Sequence, residues 1–329
     1  MKSRLSRILP FPALQTITGG PLLLPFYHLV GENQRIHVKH LYQFKSKSEF
    51  IKDLDFFSTH FHFISFEDVL NCIRNSKPFP RNSILLSFDD GLSEIYNTVA
   101  PILKQKGIPA IFFLNSAFLD NKKLFYRFKA SLLAEQLSIN GQNLNKEAIG
   151  ALFKLHQLDE TNLKKGLLSV KYKEQAVLDE LAPVMGIDFQ QYLETEKPFM
   201  TSDNIRSLIK DGFHIGSHSV DHPPFKELTL SEQYDQAMDS TNFIREHFGL
   251  PYGAFAFPFG ESFAHEELFS MILDKGIDVV FGTNPKFLKY YPKVLGRISP
   301  ETSNMETRLF FKQHYWSLIK SKIIPPQAS

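Results

Sequence analysis

The most constraining stretch in this chain is Ile84-Leu85-Leu86-Ser87-Phe88-Asp89-Asp90-Gly91. Three apolar residues running toward two adjacent carboxylates read as a strand buried on both faces, with the acids at its C-terminal tip. Gly91 supplies the backbone freedom for a sharp turn off the strand end. Successive side chains on an extended segment point to opposite faces, so Asp89 and Asp90 can hold different roles, one on a metal and one on a proton. A plain acidic turn is the alternative, and it loses ground to the histidines downstream.

The stretches around this strand repeat its pattern. Pro21–Val30 is an apolar run that delivers Tyr27-His28 at its tip, and Phe61–Ile64 and Pro109–Asn115 are further strands. Ser46–His60 has helical spacing. Ser65 reads as an N-cap before acidic Glu67 and Asp68, and Leu92–Lys106 as a helix closed by Gly107. Strand and helix alternate at the spacing of parallel βαβ units, an α/β fold. The alternation stops near Asp120. About 120–200 is polar, lysine-rich and helical in period, with Phe125, Phe128, Leu132 and Leu133 on one stripe, and reads as an insertion between core strands. The alternation resumes with helix Ser202–Asp211 and strand Phe213–Ser217. Thr229 and Glu232 form a capping box for a helix ending at Gly249. Strands Ala254–Phe257, Val279–Phe281 and Val294–Ile298 follow, with a helix at about His265–Lys275 among them, and Thr307–Lys322 closes the chain as a helix.

Composition narrows the partners. The chain has 329 residues, 43% hydrophobic and 22% charged, with a net charge of +2 from 37 basic and 35 acidic residues. With no basic block, nucleic acid and anionic membrane are not expected partners. No apolar run is long enough to span a bilayer, and no obligate protein partner is evident. The single cysteine, Cys72, cannot form an internal disulfide, which favours a reducing, cytoplasmic setting; it reads as a small core residue. Lys2, Arg4 and Arg7 precede an apolar stretch, as in a targeting segment. Pro10, Pro12, Gly19, Gly20 and Pro21 break that stretch up, so residues 1–20 read as an irregular arm.

His218 and His222 lie four residues apart, where one helical turn would put both rings on one side. They follow a strand directly, as Asp89 and Asp90 do. In a parallel barrel the C-terminal strand ends share the face that carries the site. Two imidazoles and one carboxylate are the ligands of a catalytic divalent site with an open position, and a second carboxylate is then free to act as general base.

Ser-Phe-Asp-Asp-Gly (87–91), His-Ser-Val-Asp-His (218–222) and Phe-Pro-Phe-Gly (257–260) resemble the first three motifs of the polysaccharide deacetylases. This is the NodB-homology family, carbohydrate esterase family 4. The resemblance implies a distorted (β/α)7 TIM-like barrel over 21–300, with its core motifs in 83–300, then a C-terminal helix and tail over 301–329. It implies metal-dependent removal of acetyl groups from N-acetylated sugars of a poly- or oligosaccharide. By the same resemblance Asp90, His218 and His222 hold the metal, most often zinc. Asp89 is the base that activates the attacking water, and a backbone N–H near Phe259 and Gly260 stabilises the oxyanion. Two positions depart from the family pattern. Ala256 stands where many members have an arginine that orients the base, and Val294-Leu-Gly-Arg-Ile298 lacks the late histidine that serves as general acid. A sub-group acting on poly-N-acetylglucosamine shares both departures and carries an early Tyr-His, which Tyr27-His28 resembles. His28 is therefore the expected general acid, with Arg297 next in line to stabilise the leaving nitrogen. A catalytically silent glycan-binding barrel, and an esterase or amidase on another acylated substrate, are the alternatives.

Overall fold

The computed structural model describes residues 9–32, 35–262, 264–283, 291–301 and 305–323. The strands are β1 (Phe26–Tyr27), β2 (His62–Phe63), β3 (Ser83–Ile84), β4 (Leu86–Phe88), β5 (Ala110–Leu114), β6 (His214–Ser217), β7 (Ala254–Ala256), β8 (Val279–Gly282) and β9 (Val294–Gly296). Seven of them form one sheet in the order β1-β4-β5-β6-β7-β8-β9, and every pairing is parallel. β2 and β3 pair separately. The two edges of the sheet meet in a parallel bridge between Pro25 and Ile298. There the Phe26 N–H donates to Ile298 O at 3.0 Å and the Ile298 N–H to Leu24 O at 2.9 Å. This is the distorted (β/α)7 barrel that the motifs imply. β1 is shorter than the apolar run 21–30 suggests, because Pro25 has no N–H to give to a ladder.

Period-2 alternation sets what faces inward. Leu24, Leu85, Ile111, Phe113, Ala254, Ala256, Val279, Phe281 and Leu295 pack together as the barrel interior, closed at one end by Phe66, Val69 and Leu70 of helix Phe66–Arg74. Continuing the same register toward the strand tips brings His28, Asp89, His218 and Arg297 to one end. β6 comes close to its neighbour here: a Cβ on Gly216 would stand 2.5 Å from the Phe113 ring.

The expected caps are present. Ser65 with Asp68 and Thr229 with Glu232 form reciprocal capping boxes, and Gly107 and Gly249 end their helices in the left-handed conformation. The helix expected over 92–106 divides into a π-helical turn, Ile95–Val99, and an α-helix, Ala100–Lys106. Pro101 cannot donate to a regular ladder, and the wider turn accommodates it.

Between β5 and β6 lie helices Tyr126–Asn140, Lys146–Leu155, Leu163–Leu168, Ala176–Val184 and Phe189–Glu196, within the expected insertion. Phe125, Phe128, Leu132 and Leu133 are buried, as their stripe suggests.

Two further expectations are corrected. In the N-terminal arm, whose residues 1–8 lie outside the described residues, Phe11–Thr18 is helical. Pro10 and Pro12 stand in its first turn, where a missing N–H costs nothing, and Gly19 is its left-handed cap. The residues read as breakers mark its two ends, and Phe11 packs edge-on against Tyr315 of the last helix. Cys72 is half-buried rather than in the core, because its helix buries the stripe of Phe66, Val69 and Leu70. Among the described residues no helix is long and apolar enough to cross a membrane.

Candidate active site

Asp89 and Asp90 separate at the tip of β4 as their positions require. The Asp89 N–H still ladders to Tyr27 O at 3.0 Å, so its side chain keeps the inward register. Asp90 has φ of 69° and Gly91 φ of 68°, which swings the Asp90 carboxylate sideways. Both acids are buried.

His218 continues β6 inward. Its Nδ1 lies 2.8 Å from Ala256 O, so Nδ1 carries the hydrogen and Nε2 presents its lone pair to the site. Burial pushes its pKa down to about 4, which keeps the ring neutral as a ligand must be. The expected helical turn between the two histidines is absent. Ser219 and His222 have φ of 69° and 62°, and a tight loop instead brings the rings to 4.9 Å. The loop is held from several sides. The His222 N–H donates to Ser219 Oγ at 3.0 Å, Ser240 Oγ donates to Ser219 O at 2.8 Å, and the Asn115 amide donates to His218 O. The insertion contributes as well: Lys123 Nζ lies 2.6 Å and Tyr172 OH 2.8 Å from the Asp221 carboxylate, and the Phe125 ring packs 4.8 Å from His222.

One oxygen or nitrogen from each of Asp90, His218 and His222 lies within 4.8 Å of the others. Asp90 Oδ1 is 3.6 Å from His218 Nε2 and 3.1 Å from His222 Nε2. Burial raises the Asp90 pKa, but His222, then His28 and His218, outweigh it and hold the carboxyl well below its usual range. A buried carboxylate oxygen without a hydrogen-bond donor among the described residues, facing two imidazole nitrogens, fits a divalent cation.

Asp89 stands beside this cluster, 3.8 Å from His218 Nε2. Arg297, directly after β9, reaches it with both terminal guanidinium nitrogens, Nη1 to Oδ1 at 2.6 Å and Nη2 to Oδ2 at 2.8 Å. The guanidinium also lies 4.4 Å from the centre of the Phe26 ring. Burial favours the neutral acid, yet Arg297 and His218 outweigh it and keep the Asp89 pKa lowered. The arginine absent at Ala256 thus has a counterpart in space at position 297, and Arg297 is bound to Asp89, the expected base, rather than free for a leaving nitrogen.

His28 lines the same cavity. Its Nδ1 lies 2.5 Å from Glu301 Oε1, and its backbone N–H donates to Glu301 Oε2 at 2.8 Å. Burial alone pushes this imidazole down. The charge and hydrogen bond of Glu301, with Asp90 and Asp89 behind it, lift it to about 9. Phe259 and Gly260 form the opposite lip, with the Phe259 ring 4.7 Å from His222.

Sequence reasoning did not single out Glu301 or Tyr42. Tyr42 lines the cavity beside His28, their ring centres 5.5 Å apart, with a buried hydroxyl that has no hydrogen-bond partner among the described residues. Neither belongs to a short motif, and only barrel closure brings Glu301 to His28.

A family model for polysaccharide deacetylase matches residues 76–165 and 168–280. No curated protein matches the chain. Among solved structures, the Streptococcus pyogenes deacetylase PplD in complex with acetate aligns at TM-score 0.56 and 14% identity, over 89% of this chain and 97% of that one. IcaB from Ammonifex degensii aligns at 0.54 and 16%, over 90% and 98%. A de-N-acetylase from Aggregatibacter actinomycetemcomitans aligns at 0.56 and 16%, over 88% and 99%. At such identities the likeness is one of fold.

Proposed function

Because the chain belongs to the polysaccharide deacetylase family, we propose that this carbohydrate deacetylase is a zinc-dependent enzyme that removes acetyl groups from N-acetylated sugars of a poly- or oligosaccharide. One observation carries the reading. A single cavity of about 280 Å³ holds three would-be metal ligands, a carboxylate fixed by an arginine, and an imidazole fixed by a second carboxylate. The two supported groups are the base and the acid that amide hydrolysis needs.

Asp90, His218 and His222 would hold the cation, with zinc favoured by two nitrogen ligands and one oxygen. When bound, such a cation polarises the scissile carbonyl and lowers the pKa of water. Asp89, ionised and held by Arg297, accepts the proton of the attacking water. A backbone N–H of the Phe259–Gly260 turn and the unpartnered Tyr42 hydroxyl are the donors for the developing oxyanion. His28, charged at neutral pH through Glu301, delivers its proton to the nitrogen as the C–N bond breaks, which releases acetate and a free amine.

Acetate release from N-acetylglucosamine oligomers, followed with chelator and then with added zinc, tests the reading. Turnover that stops with chelator and returns with zinc supports it. Glycan binding without acetate release would instead favour the silent barrel. Release from O-acetyl but never from N-acetyl substrates would favour the esterase.

A further inference from the structure

We infer that the helical insertion builds, beside the metal cavity, a seat for the sugar next to the one being deacetylated, and that Arg127 makes this seat refuse a neighbour bearing a free ammonium group. The inference rests on the reading above that the substrate is an N-acetylated glycan.

The cavity at the metal cluster, about 280 Å³, lies at the small end of ligand pockets. It suits one sugar and not a chain. A second cavity of about 610 Å³ opens beside it, and the two share Arg127, Phe259 and Gly260. One wall of the second cavity is the insertion, through Tyr126, Arg127 and the 168–171 turn. The other wall is barrel loop, 224–227 and 258–260. A glycan leaving the metal cavity across Phe259 enters this groove directly.

Phe259 is built as a junction. It is 52% exposed, and its φ of 56° is unusual for a bulky side chain. Its ring lies between His222, at 4.7 Å, and the Arg127 guanidinium, at 5.8 Å. The exposed ring offers an apolar surface to the C–H side of a sugar.

Arg127 sets the charge. It is half-buried, and no carboxylate among the described residues lies within ion-pair distance of it. Lys171 adds a second cation, held only loosely by Glu174 at 3.8 Å on the surface. Lys226 and Glu227 on the facing wall offset each other in sign. A guanidinium without a counter-ion donates to hydroxyl, acetamido carbonyl or carboxylate oxygens and repels an ammonium group. Deacetylation turns a neutral acetamide into an amine that is protonated at neutral pH. The groove therefore rejects the enzyme's own product as a neighbour, and deacetylated sugars come out spaced along the chain rather than in blocks.

The experiment compares kcat/KM for N-acetylglucosamine, its β-1,4- and β-1,6-linked tetramers, and tetramers in which a sugar adjacent to the acetylated one carries a free amine. The expected results are about a tenfold gain from monomer to tetramer and about a tenfold loss when the neighbour is charged. Arg127→Gln should abolish most of that loss, and Lys171→Glu should narrow it by about threefold. Metal content and melting temperature certify that each variant is folded. Equal kcat/KM for monomer and tetramer overturns the groove. An ammonium penalty unchanged in both variants overturns the role of Arg127. No acetate from any of these substrates overturns the deacetylase reading itself, a separate outcome.

Discussion

Arg297 and Asp89 are joined by two hydrogen bonds, 2.6 and 2.8 Å, across 208 positions of sequence and the mouth of the barrel. Both residues are buried. Removing the arginine leaves a carboxylate in the interior without its counter-ion, which costs roughly 3–5 kcal/mol. Arg297→Ala should lower stability by that order in urea unfolding and lower kcat by about 10- to 100-fold, the worth of a supporting partner. Arg297→Lys keeps the charge but not the fork, and should recover stability better than activity. The acid dependence is also testable. The Asp89 pKa is lowered in the folded state, so its stabilisation is present above about pH 4 and fades as pH falls through the folded value. Arg297→Ala should flatten that dependence. Unchanged unfolding curves at pH 7 and at acid pH would remove the pair from the energetics.

The fates of Asp89 and Arg297 show what sequence can carry. Asp89 was legible because a strand tip followed by a second acid and Gly91 leaves a local mark. His218 and His222 were legible for the same reason, although the loop between them is not helical. Local periodicity also marked the insertion, through the stripe of Phe125, Phe128, Leu132 and Leu133. The partners of these residues left no such mark. Arg297 directly follows β9 in a stretch that reads as ordinary strand, and Glu301 lies just past it. Their contacts with Asp89 and His28 exist only because β1 closes against the chain after β9 at Pro25 and Ile298. That pairing is a property of the whole barrel, and no window of residues encodes it.

The two acids at 89 and 90 should separate experimentally. His218→Ala and His222→Ala each remove a nitrogen from the proposed three-ligand site and should abolish bound metal and activity together. Asp90→Ala should weaken metal binding. Asp89→Asn should keep the metal and lose turnover. Elemental analysis and a zinc titration read the difference. Metal retained in both histidine variants refutes the ligand set, and a reversed pattern at 89 and 90 exchanges their roles.

Behind β1, Asp53 anchors a buried polar network. It accepts from Tyr27 OH at 2.9 Å, from Lys45 Nζ at 2.6 Å and from the Thr307 hydroxyl. These contacts tie helix Lys47–His60 and the last helix to the strand that carries His28. Asp53→Ala strands the Lys45 ammonium and the Tyr27 hydroxyl and should cost roughly 3–5 kcal/mol. Pairing it with Lys45→Met should return part of that loss, since an apolar pair of similar shape leaves no buried charge. Additive losses in the double variant would mean that the two residues do not act as a pair.

The last prediction concerns the proposed role of His28 as proton donor. His28→Ala should lower kcat by roughly 10²- to 10⁴-fold, the usual worth of a positioned acid, with metal content unchanged. Near-normal turnover on a sugar amide would remove His28 from the mechanism. The pH profile tests Glu301 as the positioning residue. The His28 pKa stands at about 9 because Glu301 overrides burial, so the ring is protonated at neutral pH and loses its proton as pH rises through that value. Activity should therefore fall on the alkaline side. A cation bound beside Asp90 would offset that carboxylate's charge and move this limb toward neutrality. In Glu301→Gln the main charge holding the proton is gone and burial prevails, so the alkaline limb should move to lower pH while a hydrogen-bond partner of similar shape remains. Stability should follow the same sign. A histidine whose pKa is raised by folding stabilises the fold fully below about pH 6.5 and loses that contribution as pH rises through about 9. Melting temperature should fall over this window in the natural chain and less in Glu301→Gln. If both the pH–rate profile and the melting curve are the same in the variant, Glu301 does not set the protonation of His28.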